Sequence, residues 1–154
     1  MVNKKFLLQN VWHFIALGFG AGLVKKGAGT IGTLITFIYL IPILLLGLKS
    51  NYFIFIGLFF MSWFATHQTL KNTSIKDPGF IVIDEIIAYL FILITIPLTI
   101  QNIIFSFLIF RFLDIFKPWP INKFEKIKGA LGVIADDLVA AFITIAIILG
   151  ANWI

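Results

Sequence analysis

"ALGVIADDLVAAFITIAIIL", residues 130–149, holds twenty residues and only two charges, Asp136 and Asp137, side by side. A run of roughly 20 apolar residues is the length of a helix that crosses a bilayer. At 1.5 Å per residue the two carboxylates lie about 9–10 Å beyond Ala130. A carboxylate at mid-bilayer costs about 2.5–3.5 kcal/mol on insertion scales, so intramembrane acids mark a functional site by default. The stretch therefore predicts a membrane helix with a polar task near one end.

The rest of the composition agrees with lipid as the solvent. Of the 154 residues 60% are hydrophobic and 12% charged, against about 25% charged in ordinary soluble domains. The mean hydropathy is +1.06. The length predicts a single domain spanning 1–154. There is no cysteine, which excludes disulfides, thiolate metal sites and a cysteine nucleophile. The net charge of +5 sits between apolar runs and not on a polar face, so it predicts basic membrane loops and no nucleic-acid partner. No protein partner is inferable. Lys4 and Lys5 before "FLLQNVWHFIALGFGAGLV" look like the start of a signal peptide. Gln9, Asn10 and His13 interrupt the apolar run, however, and no small-residue cleavage site follows. Residues 6–20 are expected to be a retained helix, interfacial or packed on the bundle.

Further apolar stretches lie at 30–48, 52–70, 80–96 and 102–116, the last two shorter than a full span. Turn formers separate them: "KKGAG" (25–29), "GLKSN" (47–51), "KNTSIKDPG" (71–79), "PLTIQN" (97–102) and "KPWPINKFEKIKG" (117–129). Asp77-Pro78 reads as a helix start, with Asp as the cap. The expected fold class is an all-α, multi-helix membrane bundle with several transmembrane helices and one N-terminal interfacial or packed helix. If the segments alternate, Lys25, Lys26, Lys71, Lys76, Lys117, Lys123, Lys126 and Lys128 share one side, and Lys49 stands on the other. The lysine-rich side is expected to be cytoplasmic.

The same alternation brings Asp84, Glu85, Asp114, Asp136, Asp137, His67 and the glycine-rich 27–32 segment to one layer. The five carboxylates either pair with Arg111 and nearby lysines, or hold a cation. Arg111 is the sole arginine, so a divalent ion is the natural counter-charge. Carboxylates without cysteine favour Mg²⁺ over Zn²⁺. "KKGAGTIGT" (25–33) leads into a helix whose free N–H groups suit an anion, with hydroxyls offered by Thr30 and Thr33. A tight turn with close helix packing is the plainer reading. "RFLDIFKPWP" (111–120) sets Arg111 and Asp114 on one face, either as an ion pair or as a phosphate-binding Arg111 beside a metal-binding Asp114. Lys117 joins the anion-binding candidates. His67 is either a polar helix end or a proton donor.

These segments together resemble the phosphatidylglycerophosphatase A family: "GAGTIGT" (27–33), "HQTLK" (67–71), "DPGFIVIDEIIAY" (77–89), "RFLDIFKPWPI" (111–121) and "KGALGVIADDLVAAF" (128–142). The resemblance covers most of the chain in the family's order. Ala28 stands where the family has proline, and Ile83 where an aromatic residue often precedes the aspartate–glutamate pair. Both departures leave the acids intact. The resemblance implies a bacterial, multi-pass inner-membrane enzyme with its active site on the cytoplasmic side. Its reaction would be the Mg²⁺-dependent hydrolysis of phosphatidylglycerophosphate to phosphatidylglycerol and inorganic phosphate. Asp84, Glu85, Asp114, Asp136 and Asp137 would be metal-binding and catalytic, together with Arg111. Gly29, Thr30, Gly32, Thr33, Lys117 and His67 would bind the substrate phosphate. The main alternative is a small ion-coupled transporter or channel subunit using the same acids, which predicts carboxylates spread through the membrane depth. An alcohol phosphotransferase of lipid synthesis is excluded by the missing Asp-Gly and Ala-Arg pattern.

Overall fold

The computed structural model describes residues 3–47, 52–73 and 78–151. Among these it contains eight α-helices and no strand: α1 (Lys4–Gln9), α2 (Val11–Ala16), α3 (Ala28–Leu45), α4 (Tyr52–Lys71), α5 (Ile83–Thr95), α6 (Ile100–Phe116), α7 (Ile121–Phe124) and α8 (Ala130–Ala151). Three of them, α3, α4 and α8, are long and apolar enough to cross a membrane. The expected all-helical membrane bundle is thus the observed architecture.

The central element is α5. At 13 residues it extends only about 20 Å, short of a hydrocarbon core of about 30 Å. Ile86, Ile87, Ala88, Tyr89, Leu90, Ile92, Leu93 and Ile94 are all buried, so α5 is wrapped by protein on every side. It packs on α3 and α8, with α4 and α6 completing the enclosure. Tyr89 is the hub of this interior. Its ring meets Phe37, Phe107 and Phe110 at centroid distances of 6.2, 5.9 and 5.8 Å, and its hydroxyl donates to the Ile103 carbonyl at 3.0 Å. That bond satisfies the polar tip of an otherwise apolar side chain. The outer helices turn large apolar residues outward, among them Ile38 on α3, Phe53 on α4, Phe105 on α6 and Phe142 on α8. Toward the interior α4 offers small residues: Ser62, Ala65, Thr66 and Thr69 are buried. That combination, small inside and large outside, is how helices approach each other when lipid is the solvent.

The N-terminal segment departs from the single helix expected over 6–20. Asn10 breaks it at φ −151°, ψ 137°, ending α1, and its side chain accepts from the Trp12 N–H to cap α2. A 3₁₀ stretch, Gly18–Leu23, then kinks through positive φ at Phe19 and Gly20. Gly18 also has positive φ, and a Cβ there would lie 2.8 Å from both Ile86 and Val82. The segment is packed on the bundle. Buried His13 stacks on Phe6 at 4.1 Å. Its Nδ1–H donates to the Phe6 carbonyl, and its Nε2 accepts from the Asn72 amide, both at 2.9 Å. Thr69 donates to the Trp12 carbonyl at 3.4 Å, and the Val82 N–H donates to the Ala16 carbonyl at 3.0 Å.

Two other boundaries shift. The helix expected to start at Asp77-Pro78 begins at Ile83 instead, after a non-helical Pro78–Val82 segment; Asp77 lies outside the described residues, as do Lys49 and Lys76. The break at 97–102 is shorter than expected, because the Thr99 hydroxyl accepts from the Asn102 N–H at 3.1 Å and starts α6 at Ile100.

Candidate active site

Four helix ends meet at one end of the bundle, and three of them bring the acidic set. The first turn of α5 carries Asp84 and Glu85, the last turn of α6 carries Asp114, and α8 carries Asp136 and Asp137 in its second turn. The first turn of α3 closes the group. One carboxylate oxygen each from Asp84, Glu85 and Asp137 lies within 4.8 Å of the others. The negative charges of Asp114, Asp84, Glu85 and Asp136 all bear on Asp137. Backbone amides offset part of this repulsion: Asp84 accepts from the Glu85 N–H and Asp136 from the Asp137 N–H, both at 3.1 Å.

Two cations enter the cluster from α6. Arg111 pairs with Asp114 one turn along and lies 3.8 Å from Glu85. Lys117 caps α6 in a left-handed conformation, φ 42° and ψ 56°, which is costly for a residue with a Cβ. That turn sends its ammonium back to Asp136 at 2.6 Å and to Glu125 at 3.4 Å. Burial pulls the pKa of this lysine down, but the hydrogen bond and charge of Asp136 outweigh it and hold the pKa above the usual lysine value. One guanidinium and one ammonium do not neutralise five clustered carboxylates.

Among the described residues, two buried polar atoms at this site have no hydrogen-bond partner, Glu85 Oε2 and Arg111 Nε. One is an acceptor and the other a donor, and an unsatisfied buried group of either kind costs about 1–3 kcal/mol. Such atoms fit a site that binds both a cation and an anion. The carboxylate group, with its free Glu85 oxygen and no sulfur or imidazole donor, fits a hard divalent cation.

The α3 start contributes through what it lacks. At Gly29 an added Cβ would lie 2.0 Å from Glu85 Oε1 and 3.1 Å from Arg111 Nη1. The absent side chain is the space in which Glu85 sits. The helix itself has no side-chain cap, since its N-cap is Gly27, so no capping side chain occupies its first N–H groups. The remaining anion candidates are placed differently. Gly32 packs against Val82, where a Cβ would lie 2.9 Å from the valine Cβ. Thr33 is buried and donates to the Gly29 carbonyl at 2.8 Å. Thr30 is half-buried beside Gly29. His67 is exposed, and its ring stacks on Trp63 at 5.8 Å.

Glu125 was not among the sequence candidates, because it stands in a polar connection and not in an apolar helix. Its spacing from Lys117 across the KPWP turn was the available signal. Gly132 is a second hidden requirement: a Cβ there would lie 1.8 Å from the Ile127 carbonyl oxygen, so the connection can lie against α8 only where glycine stands.

The family model described as Phosphatidylglycerophosphatase A matches residues 14–152. An Escherichia coli protein named Phosphatidylglycerophosphatase A is 36% identical over 162 residues, covering 99% of this chain and 91% of the relative. One of the same name from Haemophilus influenzae is 36% identical over 154 residues, covering 97% and 94%. A Bacteroides thetaiotaomicron protein named "Putative phosphatidylinositol-3-phosphatase" is 30% identical over 149 residues, covering 91% and 92%. No solved structure matches the chain.

Proposed function

Because the chain belongs to the phosphatidylglycerophosphatase A family, we propose that it removes the phosphate monoester from phosphatidylglycerophosphate at this acidic layer, with Mg²⁺ as cofactor. Hydrolysis consumes one water and yields phosphatidylglycerol and inorganic phosphate. The observation that carries the reading is the pair of unpartnered buried atoms, Glu85 Oε2 and Arg111 Nε, set within a carboxylate group of Asp84, Glu85 and Asp137. Those three acids, with Asp114 and Asp136 beside them, would hold the ion. When bound, Mg²⁺ supplies charge neutralisation at phosphate oxygens and lowers the pKa of a bound water.

The chain's own groups do the remaining work. Arg111 donates to the phosphoryl oxygens, where phosphoryl transfer gains most from fixed positive charge. Asp114 holds that guanidinium in place from one turn away. The uncapped first turn of α3 offers N–H groups to the same anion. A carboxylate of the cluster accepts the proton released by the attacking water. The lysine-rich connections on this side support a cytoplasmic site. Gathering of the acids at one end of the bundle supports an enzyme over an ion pathway, which would need polar groups through its whole length.

The test is phosphate release from phosphatidylglycerophosphate by purified protein, with and without Mg²⁺. The expected result is release that requires the ion. No release under either condition would overturn the reaction, and cation flux in proteoliposomes would favour the transporter.

A further inference from the structure

The substrate of the proposed reaction carries two phosphates: the monoester that leaves and the phosphodiester that joins glycerol to the lipid. We propose that Lys117 is a specificity residue that binds the phosphodiester, and that Glu125 occupies its place until substrate arrives. This rests on the phosphatase reading above.

The two cations at the site are not equivalent. Arg111 is the more enclosed, with 13% of its side chain exposed, and touches Glu85 and Asp114. Lys117 is 24% exposed, and its two partners differ sharply. Asp136 is 5% exposed and bonds at 2.6 Å, while Glu125 is 44% exposed and stands at 3.4 Å. The first partner is a fixed anchor that sets where the ammonium points. The second is a solvated carboxylate at a longer distance, and surface pairs of that kind are weak. An ammonium has three donors, so Lys117 can keep Asp136 and exchange Glu125 for another anion. The exchange needs no fold change, because Glu125 lies in an exposed stretch, 122–129.

The location suits a lipid-proximal group. Two residues beyond Lys117, Trp119 is 72% exposed, with Lys123 over its ring at 5.7 Å. An exposed Trp beside lysines marks the headgroup level of a bilayer. The strained left-handed backbone at Lys117 turns the ammonium back onto Asp136 of the carboxylate cluster. A headgroup with its monoester at Arg111, the more enclosed cation, leaves its diester to the more exposed one, Lys117.

The experiment uses full-length protein in mixed micelles and reads inhibition of phosphatidylglycerophosphate hydrolysis by two products. Phosphatidylglycerol carries the diester alone, and inorganic phosphate resembles the monoester alone. For Lys117→Met we expect the inhibition constant of phosphatidylglycerol to rise about 10-fold or more, as for loss of one charged hydrogen bond. That of inorganic phosphate should stay within about twofold of wild type. Glu125→Gln removes the competitor and should tighten phosphatidylglycerol inhibition a few-fold; this exposed residue also serves if Lys117→Met does not fold. Weakened phosphate inhibition with unchanged phosphatidylglycerol inhibition would move Lys117 to the monoester and overturn the proposal. So would no change in either constant, or a Glu125→Gln variant that fails to tighten. A wild type that releases no phosphate refutes the reaction itself, which is a separate result.

Discussion

Gly29→Ala should separate activity from stability. The new Cβ would stand 2.0 Å from Glu85 Oε1, whereas carbon and oxygen rest at roughly 3.4 Å or more, so the carboxylate must retreat by about 1.4 Å. The obstructing atom is the far end of a flexible side chain, so the backbone need not move. Alanine also gains up to about 1 kcal/mol over glycine within a helix. The variant should therefore melt within a few degrees of wild type, or above it. Its chemistry should suffer, since a 1 Å misplacement can cost about 100-fold in rate. Gly132→Ala provides the contrast: its Cβ would lie 1.8 Å from the backbone oxygen of Ile127, so the chain itself must shift, and a loss of about 1–3 kcal/mol follows. Phosphate release and thermal unfolding in the same detergent check both. A folded Gly29→Ala protein with turnover within threefold of wild type would refute the idea that Glu85 must sit where it does.

Asp137→Asn should lower turnover by about 100- to 1,000-fold, the scale of losing one electrostatic group at a reacting centre, while the protein still inserts. Added Mg²⁺ should raise the melting temperature of wild type, because a ligand of the native state stabilises it, and should leave Asp137→Asn unmoved; equal shifts would count against the carboxylate site. Arg111→Lys keeps the charge but loses the donor at Nε and the planar fork, so activity should fall about 10- to 100-fold, and full activity would show that a point charge suffices. The raised pKa of Lys117 fixes a sign: its pairing stabilises fully below the ordinary lysine value of about 10.4 and is lost as pH rises through the higher folded value. The melting-temperature gap between wild type and Lys117→Met should therefore stay constant from neutral pH to about pH 10, and close only above it.

The acidic layer was legible because each acid is an anomaly where it stands. Asp84, Asp114 and Asp136 interrupt apolar runs, and the alternation of those runs places them level. Glycines were harder to read. "GAGTIGT" suggests an anion loop, yet Gly29 leaves room for a carboxylate and Gly32 lets α3 lie against Val82; sequence cannot tell a backbone that must bind from one that must be approached. The N-terminal break at Asn10 was hidden because the same residue is polar punctuation in a helix and an ordinary cap. Hydropathy also could not distinguish α5, which is apolar because protein surrounds it, from helices that are apolar because lipid does.

The way the N-terminal segment docks fixes an order of events in synthesis. Trp12, His13 and Ala16 are bonded to Thr69, Asn72 and Val82, groups that leave the ribosome about 60 residues later. At about 5–20 residues per second the segment waits roughly 3–13 seconds for its partners. Its apolar face needs a resting place in that interval, and the bilayer surface is the one at hand. The first helices to emerge thus wait for α4 and for the segment of backbone that leads directly into Asp84 and Glu85. A nascent chain cut short before Val82 has no means of completing either.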